Sequence, residues 1–218
     1  MTELTYPITE RSRGRRSHNR VSHAHSAVHE VLDAAPICHV GYVIDGESYV
    51  TPTIHWRVGN RVYWHGSAAS RFLRKAAGQR VCLTVSLFDG YVMARSAFNH
   101  SANYRSAMVF GRATVLENTN DIEAALKAMM DDLFPNRWDS LRPMTAQELK
   151  ATAVLYLDIE EATAKVRSGP PADHNDASYP VWAGVLPVKT HLGAAETETE
   201  HLPLPEELLA LQTSGQLR

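Results

Sequence analysis

Cysteine is scarce: the 218 residues hold two, Cys38 and Cys82, each inside an apolar run and not spaced as C-x-x-C. That excludes a disulfide framework and leaves two reduced, buried thiols of the kind a cytoplasmic protein carries. Long apolar runs are absent too. No stretch approaches the roughly 18 residues a membrane span needs, and the basic cluster from Arg11 to Arg20 leads into His, Ser and Ala rather than an apolar core, so neither a span nor a signal peptide is expected. Neither sign of charge is in excess: 22 Lys and Arg stand against 24 Asp and Glu, a net charge of −2, which argues against a surface built for nucleic acid. A G-x-G-x-x-G fingerprint is missing, so a nicotinamide would bind only transiently. There are no internal repeats. The length suits one domain with extensions: a basic arm over 1–19, a core domain over 20–190 and a tail over 191–218 that holds a short helical segment.

What is present is organised around residues 59–78, GNRVYWHGSAASRFLRKAAG. A turn at Gly59-Asn60 opens an apolar run that ends in His65-Gly66-Ser67 and passes into a helix-forming segment over 68–77. First-turn amides have no intrahelical partner and lie at the positive end of the helix dipole, which suits an anion. Ser67 and Ser70 add hydroxyls, and Arg71 adds a guanidinium able to take two phosphate oxygens. A phosphate site follows; a capped surface helix with solvated Arg71 and Arg74 is the plainer alternative.

In chain order, the arm lacks periodicity and reads as disordered, with contact to a partner subunit or an anion as alternatives. Val28, Val31, Leu32 and Ala35 recur at helical spacing before Pro36, giving an amphipathic first helix. His25 and His29 stand one turn apart on it, near His23; that spacing suits a metal, but no third ligand is placed beside them, and exposed histidines are the plainer reading. Residues 37–44, 48–57 and 61–64 form a meander parted by Asp45-Gly46 and Gly59-Asn60. Residues 81–88 read as a central strand, Asp89-Gly90 as a turn into a strand over 91–96, and 104–116 as a long strand in which Gly111 marks a bulge or a close backbone approach. A helix over 121–134 turns Met129 and Met130 to its apolar face, and Thr145 with Glu148 forms a capping box. Strands over 154–159 and 162–166, an extended run over 180–188 and a terminal helix over 202–211 complete the chain. The fold class is mostly β within α+β, with six or seven antiparallel strands curled into a small barrel flanked by helices.

Two pieces carry a resemblance: Tyr63-Trp64-His65 with Ser70-Arg71 behind it, and Tyr104-Arg105-Ser106 with Phe110-Gly111-Arg112. In that order, over residues 17–188, the chain resembles the pyridoxamine 5'-phosphate oxidase-like FMN-binding split β-barrel family, and within it the nitroimidazole-reductase-like group. The resemblance implies a homodimer with two FMN sites at the subunit interface, each built from both chains. Ser70 and Arg71 would hold the phosphate. Thr51, Pro52, Thr53 and Ile54 would line the ring, with Gly66 and Ser67 at the end of the His65 strand. Tyr104, Arg105 and Ser106 would lie beside the cofactor, behind a polar lip of Asn99, His100, Ser101 and Asn103, and the partner subunit's Trp182 would cover the flavin. His65 would be the catalytic group, donating a proton or orienting the substrate. Each has a plainer role as well: a backbone-bonded strand-end histidine, a cross-sheet ion pair for Arg105, core or interface for Trp182.

The implied activity is that of an FMN-dependent oxidoreductase passing electrons from a reduced nicotinamide to a small acceptor such as a nitroaromatic, with neither nucleic acid nor membrane as partner. Two alternatives stay open. One is a flavin-binding sensor or store without turnover; the other is a split barrel carrying haem or a deazaflavin, with His65 or His100 as the axial ligand of the haem. Oxidation of vitamin B6 phosphates does not carry over, because the chain has no Arg-Leu-x-Pro-type terminal segment.

Overall fold

Alternation of inward and outward side chains builds the sheet. In β2 (Ile37–Ile44), Cys38, Val40, Tyr42 and Ile44 are buried while Ile37, His39 and Val43 face out. Asp45 and Gly46, at φ 52° and 87°, turn the chain into β3 (Glu47–Val58), the double positive φ that a two-residue hairpin requires. β4 (Arg61–Ser67) returns along β3. This computed structural model describes residues 3–14, 18–198 and 201–215; Arg15 and Arg16 of the basic arm lie outside them.

Further strands are β1 (Val21–Ser22), β5 (Arg80–Met93), β6 (Ser101–Arg112), β7 (Thr114–Val115), β8 (Thr152–Asp158) and β9 (Glu161–Arg167). They pair antiparallel in the order β1-β9-β6-β5-β2-β3-β4-β8-β7, and β10 (Gly184–Pro187) joins the far end of β5. The sheet curls until β6 meets the end of β8. At that seam Gly111 lies so close that a side chain there would overlap the Asp158 carbonyl oxygen, the close approach its sequence position suggested.

Inside the curl, Val40, Trp64, Leu83, Val109 and Leu157 are fully buried. Val28, Val31 and Leu32 of α1 (His25–Asp33) and Leu73 and Ala76 of α2 (Arg71–Ala76) close over them. A second apolar cluster lies outside the wall, where Trp56 and Val154 meet Ile122, Ala125 and Leu126 of α3 (Thr119–Leu133) and Leu149 of α4 (Ala146–Ala151). The Thr145–Glu148 capping box opens α4. α5 (Glu206–Ser214) buries no residue. Among the described residues, no helix is long and apolar enough to cross a membrane.

Several expectations change. The expected antiparallel barrel flanked by helices is present, but among the described residues its sheet holds ten strands rather than six or seven. Asp89-Gly90 is a bulge within the continuous β5, not a turn between two strands. The helix expected from residue 68 starts at Arg71, and of the extended run over 180–188 only 184–187 is strand.

The described part of the arm is an ordered strap rather than a disordered tail. Tyr6 N–H donates to the His23 carbonyl at 2.8 Å, and His25 N–H to the Leu4 carbonyl at 2.9 Å. The buried Tyr6 ring stacks on His25 at 3.8 Å. Its hydroxyl donates to Asn60 Oδ1, whose Nδ2 is committed to the Ile159 carbonyl, so His29 Nε2–H donates to Tyr6 at 2.8 Å. Burial pushes the Tyr6 phenol up to about 12. The two histidines one turn apart thus hold a tyrosine. Thr9 and Arg11 fasten the strap further along, on Glu161.

Gly111→Ala is expected to cost about 2 kcal/mol, because backbone rather than a yielding side chain opposes the new methyl. A urea midpoint equal to that of the parent would show that the seam can open.

Candidate functional site

The hairpin register places Tyr42 opposite Tyr49, and the two rings stack at 5.6 Å. Phe72, in the first turn of α2, packs on Tyr42 at 5.0 Å, and the Tyr42 hydroxyl lies 3.1 Å from Thr51 Oγ1. An aromatic pad results. Over it, 5.5 Å from the Tyr49 centroid, stands the Arg71 guanidinium. Arg71 is exposed and makes no ion pair among the described residues, and Arg74 and Lys75 on the same helix are in the same position. Ser70 is the N-cap of α2, its hydroxyl accepting from Leu73 N–H at 3.5 Å, and Ser67 Oγ accepts from Ala69 N–H. Gly66 lies under Leu73, where an added Cβ would stand 3.1 Å from Cδ1.

Sequence reasoning missed this pad. Counting residues outward from Asp45-Gly46 would have found the Tyr42–Tyr49 pair.

The four ring-lining candidates of β3 divide between two faces. Thr51 and Thr53 are half-buried on the Tyr49 side, whereas Pro52 and Ile54 are exposed on the other, as strand alternation demands. His65 likewise points away from the barrel core that holds its neighbour Trp64. Its ring sits 5.8 Å from Trp56, which stacks on Tyr63 at 5.5 Å beside α3. Its Nδ1 is buried without a partner, and burial holds the imidazole below its ordinary pKa. Within one chain, then, His65 and Arg71 are not brought together.

The β6 candidates separate too. His100 and Ser101 are exposed at the strand's start, with His100 Nδ1–H on the Ser96 carbonyl at 2.8 Å. Asn103 is buried and committed, accepting from Arg167 Nη1 and donating to the Gly169 carbonyl at 3.2 Å. Tyr104 is half-buried opposite Phe88. Arg105 is gripped by both carboxylate oxygens of Asp89, at 3.0 and 2.8 Å, the cross-sheet ion pair named above as its plainer role. Ser106 Oγ donates to the Lys165 carbonyl at 3.4 Å. Trp182, just ahead of β10, is 63% exposed, its indole folded over Gly184, the first residue of that strand.

With this geometry in view, residues 24–166 match the sequence profile of pyridoxamine 5'-phosphate oxidase. The chain belongs to the pyridoxamine 5'-phosphate oxidase-like family. Among solved structures, it is similar to the flavocytochrome Anf3 of Azotobacter vinelandii, with 42% identity, a TM-score of 0.88, and 93% of this chain and 97% of that one covered. It is also similar to an FAD- and haem-binding protein of Mycobacterium smegmatis, at 34% identity and a TM-score of 0.86 over 91% and 99% of the two chains. A proposed 5-nitroimidazole antibiotic resistance protein of Bacteroides thetaiotaomicron shares the fold at 21% identity and a TM-score of 0.55, over 67% of this chain and 86% of that one. No curated protein sequence matches.

The half-buried His65 imidazole, lowered in pKa by burial, is expected to give the fold a pH dependence. A histidine whose folded pKa lies below 6.5 contributes full stability above that pH and loses it as the unfolded chain takes up protons first. His29 is lowered in the same way, by burial first and then by Arg57. In protein free of cofactor, stability is expected to fall between pH 7.5 and 5.5, and His65→Gln to make the fall shallower (both pH values are roughly one unit either side of an ordinary histidine). An unchanged slope in urea titrations would mean that the fold does not hold His65 neutral.

Proposed function

We propose that this protein is a flavin-binding redox protein of the flavocytochrome kind, active as a homodimer. The carrying observation is Arg71, a guanidinium without an ion pair among the described residues, held on the Tyr42–Tyr49 pad beside Thr51. A phosphate supplies what that group lacks. Arg74 and Lys75 follow Arg71 at i+3 and i+4, so one helix face offers three cations. That suits the two phosphates of FAD better than the single phosphate of FMN, and the relatives just described include an FAD-binding protein. The isoalloxazine supplies the electron chemistry, taking two electrons from a donor such as a reduced nicotinamide and passing them to a small acceptor. The protein's own part is to bind, orient and desolvate.

A second copy is proposed for an independent reason. Ile37, Val50, Ile54 and Met108, all 39–67% exposed, lie on one outward face on β2, β3 and β6, alongside Pro52, with Thr84 and His39 between Met108 and the others. A sheet face with this many exposed apolar side chains fits a subunit interface. Two free cysteines agree with a cytoplasmic setting.

His65 supports haem as a second group, in keeping with the flavocytochrome and the haem-binding relative. Burial lowers the pKa of His65 and so favours the neutral imidazole that an axial ligand needs. Trp56 and Tyr63 give it apolar walls.

Arg71→Ala is expected to weaken FAD binding by roughly 10- to 150-fold, the worth of one charge-assisted contact. Visible spectra after gel filtration would read it; full flavin retention would move the phosphate elsewhere. His65→Ala is expected to abolish a Soret band while leaving the flavin bands. A Soret band that survives would pass the ligand role to another histidine, His100 first.

A further inference from the structure

Two strands flank one edge of β5 without meeting. Ala113 N–H donates to the Gln79 carbonyl at 2.9 Å, which assigns ladder bonds with β6 to the odd-numbered residues of β5 as far as Leu87, ahead of the bulge. Even-numbered residues therefore turn their main-chain groups to the opposite edge, where Cys82 and Thr84 stand across from Gly41 and His39 of β2. Pairing with β2 ends there, because the chain leaves through Ile37 and Pro36 toward α1. On the same edge β10 ends opposite Gly90, and Val188 N–H reaches the Asp89 carbonyl at 3.0 Å. Ser86 and Phe88 fall in the gap, their main-chain N–H and C=O groups facing no strand.

The gap is a cavity of about 680 Å³, walled by Ala34 and Ala35 at the carboxyl end of α1, by Phe88 and Val188, and by the Arg105 side chain. That volume lies within the range of small-molecule sites. Its charges nearly cancel: Asp89 grips Arg105 with Glu30 nearby, and the exposed Lys189 stands at the rim. An ionic ligand is therefore not what the cavity selects. A strand edge offers alternating donors and acceptors instead, and the rest of the wall is mostly apolar.

We infer that this slot binds a small, apolar-bodied cyclic amide or imide, whose adjacent C=O and N–H pair with the free main-chain groups of Ser86 and Phe88. Arg105, oriented by Asp89, has its remaining N–H groups for a further carbonyl. The site stands apart from the Arg71 pad, since the two lie toward opposite ends of β2, and it does not depend on the flavin reading.

Phthalimide and N-methylphthalimide test the assignment, because they differ only in the imide N–H. Titrated into the protein as purified, phthalimide is expected to shift the backbone amide resonances of Ser86 and Phe88 saturably, and the N-methyl compound to bind at least tenfold more weakly. Val188→Trp, which fills the slot from an exposed wall position, is expected to reduce phthalimide binding at least tenfold with melting temperature and bound flavin unchanged. Equal binding of the two compounds, no shift at either amide, or unaltered binding by the tryptophan variant would overturn the inference. Release of bound flavin by phthalimide would also overturn it, by assigning the slot to the cofactor.

Discussion

The bulge at Asp89-Gly90 is the constraint on which the far half of the molecule depends. β5 runs unbroken for fourteen residues, and one extra residue opposite Asn103 bends it midway. Gly90, at φ 154°, has its missing side chain where the Leu186 carbonyl oxygen passes, so β10 docks only because nothing projects there. Asp89 is freed by the same bend to clamp Arg105. Placement of β10, the gap beside Ser86 and the orientation of Arg105 all follow from this one irregularity.

The same dipeptide has two outcomes in this chain, which shows where sequence reading ran out. Asp45-Gly46 is a hairpin turn, since all eight residues of β2 pair with β3 from Ile44–Glu47 outward. Asp89-Gly90 has equally good turn chemistry, but residues 91–96 are no match for a better partner, the twelve residues of β6, which pair along both halves of β5. Competition between strands is non-local, and local propensity does not contain it. Alternation, caps and the Gly111 approach were legible because each is a local pattern with a single physical reading. The Tyr6 strap was not, for its hydrogen bonds span 23 and 54 residues.

The strap also shows how a polar cluster can be structural. His25, His29 and Asn60 surround one phenol, with each donor matched to an acceptor: His29 to Tyr6, Tyr6 to Asn60, Asn60 to the Ile159 carbonyl. A satisfied chain of this kind fixes the β3–β4 turn, the β8–β9 turn and α1 relative to each other. Histidine spacing alone could not separate this from metal binding; the missing term was the arm residue that comes back to fill the space.

Strand alternation finally sets a limit on how the site can work. Trp64 points into the barrel, so His65 must point out toward α3, while Arg71 sits at the β4–α2 corner on the pad of Tyr42 and Tyr49. A single ligand seated on the pad cannot place its reacting atoms against the His65 of the same chain without crossing the wall that β3 and β4 form. Two arrangements escape the constraint: His65 serves a separate group, or the apposed face of a second copy completes the site. The first requires a neutral imidazole with apolar neighbours, and the second requires an outward sheet face that excludes water. In this chain His65 has apolar neighbours and the outward sheet face carries exposed apolar side chains, so the strand register is compatible with the proposed division between two groups and two subunits.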